Sequence, residues 1–406
     1  MDRVPRPKRT PAATLATTAA ATIVCILPPF LLGAMGVQIR DDLEFSEAGI
    51  GFGVGAFFLT ASGLSAVMGR RAERAGGGAA LRVAALWAGA AQLLVAVGAR
   101  SLPSLVALLA FAGGANALGQ PAANLVIARA LPARRQGIGF AVKQSAIPFS
   151  TFLGGLAVPA LALTVGWRWA FVSAAALAVL AAFLVPVRPR DADQCRPASD
   201  NRRARSGRSD GRLPLPIMTV LALGAALGAA AAGTLGAFLV SAGVDTGLSE
   251  GTAGIALSVG SGLGIACRLW AGMRADRRTG GHLRRVAAML AVGAFGYLLF
   301  ATGEPGLFLA GLPLAFGAGW AWPGLFNLAI VLENPASPAA ATGVTQTGTY
   351  LGAVLGPLLF GLVAEHLSFA WSWTLAATTS LLAACAIWAG RRMLRNDRQT
   401  STAVPR

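Results

Sequence analysis

Two polar segments decide the fold: Gly-Arg-Arg-Ala-Glu-Arg-Ala-Gly (Gly69–Gly76) and Gly-Met-Arg-Ala-Asp-Arg-Arg-Thr (Gly272–Thr279). Each lies between two long apolar runs, and they match at an offset of 203 residues, half of the 406-residue chain. Further matches occur at an offset of 202, pairing Pro121 with Pro323, Gln144 with Gln346, Gly154 with Gly356 and Trp169 with Trp371. The sequence therefore predicts two related halves that run in the same direction, and such repeats are typical of transporters.

The apolar runs around these segments are long enough to cross a membrane. A spanning helix needs about 20 mainly apolar residues, and twelve such runs are predicted, six in each half. They cover residues 14–37, 49–69, 80–99, 102–128, 137–163, 167–187, 214–243, 251–272, 284–302, 305–332, 340–364 and 369–390. The composition agrees, because 55% of residues are hydrophobic and only 13% are charged, where a soluble protein has about 25%. We predict an all-α integral membrane protein, which excludes a soluble enzyme.

The basic residues predict the orientation. If the chain crosses twelve times, 31 of its 34 Lys and Arg lie on one side, which we call the basic side, and three lie on the opposite side. Cytoplasmic loops carry the excess of Lys and Arg. Both termini are therefore expected in the cytoplasm, with the protein in the bacterial inner membrane. Because the charge is spread over many short loops, it indicates contact with the lipid bilayer and not with nucleic acid.

A polar segment separates the halves. Residues 188–213 are rich in charge, Ser, Gly and Pro, and they contain too few apolar side chains to form a core. Such a composition predicts a disordered cytoplasmic linker. The predicted domains are thus an N-terminal six-helix bundle (1–187), this linker, and a C-terminal six-helix bundle with a short tail (214–406).

The segment Gly69-x-x-Ala72-Glu73-Arg74-x-Gly76 resembles the signature that the major facilitator superfamily carries between its second and third helices. Gly272-x-x-Ala275-Asp276-Arg277 resembles the second copy, and Asp42-Leu43-x-x-Ser46 and Gly166–Phe171 are also similar to that superfamily. The resemblance implies two pseudo-symmetric bundles around a midplane cavity that opens alternately to the two sides. It also implies a cytoplasmic gate in the tight turns that contain Gly69, Glu73, Arg74, Gly76, Gly272, Asp276 and Arg277. Span 4 has Phe111-Ala112-Gly113-Gly114 in place of the pattern of proton-coupled antiporters, which argues against drug/proton antiport by the usual route.

Lys143 is the cation that stands out inside a predicted span. It lies about six residues into span 5, or roughly 9–10 Å along a helix, and a charge at the membrane centre costs about 2.5–3.5 kcal/mol on insertion scales. One interpretation is that Lys143 binds the anionic group of a substrate. The other is that its long side chain reaches cytoplasmic water and only anchors the helix.

Further polar side chains lie inside the spans and could line a cavity or join helices. Asn116, Gln120 and Asn124 share a spacing of four residues and thus one helix face. The other cavity candidates are Gln144, Trp320, Asn327, Gln346 and Tyr350. The alternative is that these groups only form hydrogen bonds between helices, worth on average about 0.6 kcal/mol each.

These observations predict a secondary active or facilitative transporter of a small organic solute, with an anion favoured by Lys143. A coupling proton or counter-ion stays open, because the Asp and Glu residues all lie near span ends or in loops. The alternatives are an efflux transporter for lipophilic drugs and a transporter-like membrane sensor. With two histidines and four scattered cysteines, we predict neither a metal site nor a cofactor. No catalytic cluster is present either, so no enzymatic activity is expected.

Overall fold

The computed structural model describes residues 11–131, 139, 142–186, 214–276, 280–334 and 338–403. Within these ranges, twelve helices are long and apolar enough to cross a membrane. We number them α1 to α12: Pro11–Ala34, Glu47–Ala75, Gly77–Gly98, Leu102–Ala130, Val142–Val165, Trp167–Leu184, Leu215–Asp245, Glu250–Asp276, His282–Ala301, Pro305–Glu333, Pro338–His366 and Phe369–Ala403. The predicted all-α membrane architecture is confirmed. The predicted linker at 188–213 lies outside the described residues.

Several helices extend beyond the predicted spans on the basic side. α2 was expected to end at residue 69 but continues to Ala75, and α12 was expected to end at 390 but continues to Ala403. The hydropathy pattern stops at the first arginines, whereas the helix continues because arginine is a good helix former. The prediction that Glu73 and Arg74 lie in a tight turn is therefore wrong. They occupy the last turn of α2, and the reversal itself takes place at Gly76, whose φ of 85° favours glycine.

The repeat is visible in equivalent helix contacts. A Cβ added to Gly154 of α5 would lie 3.0 Å from the carbonyl oxygen of Phe30 on α1. A Cβ added to Gly356 of α11, the matching position, would contact the carbonyl oxygen of Ala230 on α7. Each half thus packs its fifth helix closely on its first helix through a glycine, as close helix approach in membranes requires.

Hydrophobic clusters lie both within and between the halves. One cluster consists of residues from the first six helices, among them Ala21, Met68 and Ala181. Another comes from the last six, among them Leu221 and Leu290, and a large cluster joins the two halves. The molecule is therefore two six-helix bundles with a shared apolar interface.

The two halves meet most closely toward the opposite side of the membrane. A Cβ on Gly51 of α2 would lie 2.6 Å from the carbonyl oxygen of Pro357 on α11, and one on Gly55 would lie 3.5 Å from that of Val354. One turn further along this face of α2, Leu59 is 63% exposed. The helix pair therefore separates toward the basic side, so the molecule is closed on the opposite side.

Side chains reinforce this closed side. Gln38 donates a hydrogen bond to the carboxylate of Glu250 (2.9 Å), and Ser46 donates one to Glu365 (2.7 Å), each joining the first half to the second. Asp42 accepts hydrogen bonds from the Trp167 indole (3.2 Å) and the Arg168 guanidinium (2.5 Å). Asp42 and Trp167 are 125 residues apart in the sequence. They belong to the segments Asp42–Ser46 and Gly166–Phe171, both similar to the superfamily, which thus come together there.

Candidate functional site

A second cation, Arg268 of α8, lies between the halves beside the predicted site. Its Nη1 donates to the main-chain oxygen of Gln144 on α5 (3.0 Å), and its Nη2 donates to that of Trp320 on α10 (2.6 Å). Arg268 is eight residues from the end of α8, or about 12 Å along the helix. The guanidinium therefore joins α5 of one half to α8 and α10 of the other, at a depth inside the membrane-spanning region.

The local structure of α10 explains why a carbonyl is available to Arg268. Ala315–Gly319 form a π-helical turn, and residues 320–322 form a turn before the helix resumes at Pro323. Proline lacks the backbone N–H that would continue the helical hydrogen bonds, and π turns occur often at functional sites. The Trp320 oxygen that accepts from Arg268 lies in this irregular stretch.

Lys143 lies next to Gln144, the residue that accepts from Arg268, and its side chain is only 7% exposed. Among the described residues, its ammonium forms no hydrogen bond or ion pair. Arg268 also retains an unused donor, because its buried Nε has no partner in the described part of the chain. Two cationic groups on adjoining helices are thus left with unsatisfied hydrogen-bond donors.

The polar residues of α4 differ in their surroundings. Asn116 is buried at 2% exposure and accepts a hydrogen bond from the Gln120 amide at 3.1 Å, one helical turn away. Asn124, a turn further on, is exposed. The expected polar face therefore consists of a paired, inward section at Asn116 and Gln120 and an open section near the basic side.

The remaining predicted cavity residues lie on α10 and α11. Trp320 is 6% exposed, and its ring contacts Phe30 of α1 (6.3 Å between centroids) and Phe316 (5.5 Å), which forms an aromatic wall between the halves. Asn327, Gln346 and Tyr350 are half-buried. Within the described residues, the structure links Gln144 and Trp320 directly through Arg268, and no hydrogen bond connects Asn327, Gln346 or Tyr350 to that group.

The predicted gate residues lie at the basic-side ends of α2 and α8. Glu73 and Arg74 are exposed, and a Cβ added to Gly69 would lie 3.8 Å from Pro121 of α4. Gly272 is exposed with nothing within 4 Å of an added Cβ. Asp276 is the last residue of α8, while Arg277 lies outside the described residues. Their role in gating stays a prediction.

Arg268 was missed by the sequence analysis because it was counted with the basic residues that flank a span. The feature that could have identified Arg268 is its position in the sequence. It is four residues before Gly272 and lies within the predicted span 251–272. An arginine more than a full turn inside a span indicates a functional group by default. Its position close to the basic-side end of span 8 also fits a residue that only marks orientation, which is why its depth in the span was overlooked.

The sequence matches the model of the Major Facilitator Superfamily over residues 10–332 and again over 221–405. The chain belongs to this superfamily. The twelve-helix architecture is that of its transporters, and the overlap of the two matches agrees with the internal repeat. Curated protein sequences include no significant match to the chain.

Solved structures of transporters share this fold at low identity. A bacterial homologue of the human lysosomal transporter Spinster, in an inward-facing and occupied conformation, matches with a TM-score of 0.74 at 15% identity, covering 95% of this chain and 98% of that one. The xylose transporter XylE from E. coli, inward open, gives 0.74 at 16% identity, covering 93% and 96%. A point mutant of the nucleoside transporter NupG gives 0.71 at 15% identity, covering 92% and 99%. At these identities the likeness concerns the fold alone.

Proposed function

We propose that the protein is a secondary active or facilitative transporter of a small organic anion that works by alternating access. It would lie in the bacterial inner membrane with both termini in the cytoplasm. The cavity between the halves would open to the cytoplasm in the present conformation, in which the contacts on the opposite side are closed.

The observation that carries this proposal is the pair of buried cations. Lys143 and Arg268 belong to different halves, and Arg268 contacts the main-chain oxygen of the residue that follows Lys143. In the described part of the chain, the carboxylates lie at helix ends, in turns, in the short helix Gly36–Leu43 or in the terminal segment of α12. No carboxylate there is placed to neutralise the pair. A bound anion would supply the missing charge and accept from the unused donors.

The 7% exposure of Lys143 supports this interpretation over snorkelling. A snorkelling lysine has its ammonium in bulk water, whereas this side chain is enclosed by protein. Efflux of lipophilic compounds is the second candidate, because the aromatic wall of Trp320, Phe30 and Phe316 offers apolar contacts. A drug could use that wall without needing either cation.

Thermal unfolding of the purified protein tests the proposal against a panel of carboxylates, organic phosphates, organic cations and lipophilic drugs. A ligand at 100 times its dissociation constant stabilises the native state by about 2.7 kcal/mol. We expect an anion to raise the Tm of the wild type, with the response lost in Lys143→Ala and largely retained in Lys143→Arg. Arg274→Ala serves as the control, because Arg274 is exposed near the end of α8.

Transport is then measured in proteoliposomes with the anion that stabilises the protein. Uptake or exchange that disappears with Lys143→Ala supports the proposal. Stabilisation by drugs alone, unchanged in Lys143→Ala, would favour efflux. Binding of an anion without flux in either direction would instead indicate a sensor.

A further inference from the structure

A groove on the membrane-facing surface between α9 and α12 has no role in the proposed transport mechanism. It has a volume of about 500 Å³. Its walls are formed largely by small residues, Ala287, Ala288 and Ala291 on α9 and Ala384 and Ala389 on α12. Because these side chains are short, the two helices leave an apolar channel between them that opens toward the hydrocarbon of the bilayer.

Arginines lie at one end of this groove. Arg284 near the start of α9 and Arg392 near the basic-side end of α12 both line it, and both are exposed. The ring of Trp388 forms part of the wall, and the guanidinium groups of Arg391 and Arg392 lie 5.0 and 5.8 Å from its centroid. Stacking on the indole holds these cations at the mouth of the groove.

The length of the groove matches one leaflet. From Arg392 to Leu381, its deepest residue on α12, there are eleven residues, which is about 16 Å along a helix. The hydrocarbon core of a bilayer is about 30 Å thick, so the groove runs from the headgroup boundary of the basic side to about the midplane. An acyl chain from a lipid of that leaflet has the required length, and a headgroup phosphate would then lie at Arg284 and Arg392.

We propose that this groove is a specific site for an anionic phospholipid from the leaflet on the basic side. One acyl chain lies along the alanines, and the headgroup phosphate accepts hydrogen bonds from the two arginines. Basic pockets between transmembrane helices are suited to anionic headgroups. A groove without charged residues would bind any lipid equally. Here the arginines and the apolar channel are placed to bind the headgroup and an acyl chain of the same lipid molecule.

Quenching of Trp388 by lipids with brominated acyl chains tests the site. The chain has nine tryptophans, so the Trp388 signal is the difference between the wild type and Trp388→Phe. Brominated phosphatidylglycerol and brominated phosphatidylcholine are titrated into full-length protein in detergent micelles. We expect half-maximal quenching at a lower concentration of phosphatidylglycerol, by about five-fold for each arginine that contacts the phosphate.

The variant Arg284→Gln/Arg392→Gln should bring the two lipids to the same affinity. Arg395→Gln, an exposed arginine one turn further on that does not line the groove, should leave the preference intact. Ala291→Phe fills the groove and should weaken quenching by both lipids. Inorganic phosphate should not displace the lipid, because it lacks the acyl chain.

Equal quenching by both lipids in the wild type would overturn the proposal, because the groove would then bind lipids without selectivity for the headgroup. Displacement by inorganic phosphate would also overturn it, because the arginines would then bind an anion without the groove. If the double variant does not fold, the wild-type comparison of the two lipids and the single variant Arg392→Gln decide the matter.

Discussion

Arg268 shows how one side chain can join three helices. It donates to a carbonyl of α5 and to another of α10 while belonging to α8. A hydrogen bond from a charged donor contributes about 1.5–3 kcal/mol, and leaving a buried carbonyl without a partner has a cost of its own. The guanidinium suits this position because its planar fork can reach two acceptors at once, which the ammonium of a lysine does less well.

We therefore expect Arg268→Ala to lower the free energy of unfolding by about 1.5–3 kcal/mol, with Arg268→Lys recovering only part of the loss. The measurement is denaturant-induced unfolding in mild detergent. Arg274→Ala is the matched control on the same helix. It removes an exposed guanidinium stacked 4.7 Å from the Trp270 ring, so its effect should be about 0.5–1 kcal/mol. Equal losses of unfolding free energy in the two alanine variants would show that the contacts of Arg268 with the two carbonyls stabilise the protein no more than the exposed stacking contact of Arg274.

At the scale of helices, the contact between α5 and α8 depends on glycine. A Cβ added to Gly155 would collide with the carbonyl oxygen of Gly254 and with the Ser258 hydroxyl. That hydroxyl also donates to the Phe152 carbonyl across the same interface (3.0 Å). The two helices belong to different halves, so their separation is one way in which the opposite side could open.

Gly155→Ala should therefore favour opening of the opposite side. Overpacking costs about 1–3 kcal/mol, equivalent to a shift of about 5- to 150-fold in the conformational equilibrium. The reporter is Ser241→Cys in a background without the native cysteines, because Ser241 is 3% exposed and lines the cavity of about 600 Å³ on that side. Its rate of alkylation should rise in Gly155→Ala. Gly63→Ala, where an added Cβ meets nothing within 4 Å, should leave the rate unchanged.

The helices could be predicted from the sequence, whereas most side-chain contacts could not. The number of helices followed from hydropathy, because the bilayer requires a continuous apolar run of fixed length. The contact between Arg268 and the Gln144 carbonyl could not be predicted in this way, because it joins residues 124 apart. Pro323 is visible in the sequence, but it does not specify that the Trp320 oxygen before it accepts from Arg268. Lys143 stood out because it is charged in an apolar run, whereas its lack of a partner among the described residues required the structure.

At the scale of the whole molecule, two kinds of contact hold the opposite side closed. Close glycine packing at Gly51 and hydrogen bonds at Gln38 and Ser46 hold the halves together on the opposite side. The α2–α11 pair separates toward the basic side, where Leu59 is exposed. Opening of this side would break these hydrogen bonds, each worth about 0.5–3 kcal/mol, and would separate part of the apolar cluster that joins the halves. A structure of this kind is suited to exchange between two states.

The charge distribution sets which side of this asymmetric molecule faces the cytoplasm. Lys and Arg near span ends resist translocation, so the basic side should be cytoplasmic. Single cysteines in the cysteine-free background test this. Leu367→Cys lies in the turn after α11, where Leu367 is 66% exposed, and Ala75→Cys lies at the exposed end of α2. A membrane-impermeant maleimide added to intact cells should label Leu367→Cys, whereas Ala75→Cys should react only after permeabilisation. The reverse pattern would contradict the proposed orientation and would move the lipid groove to the outer leaflet.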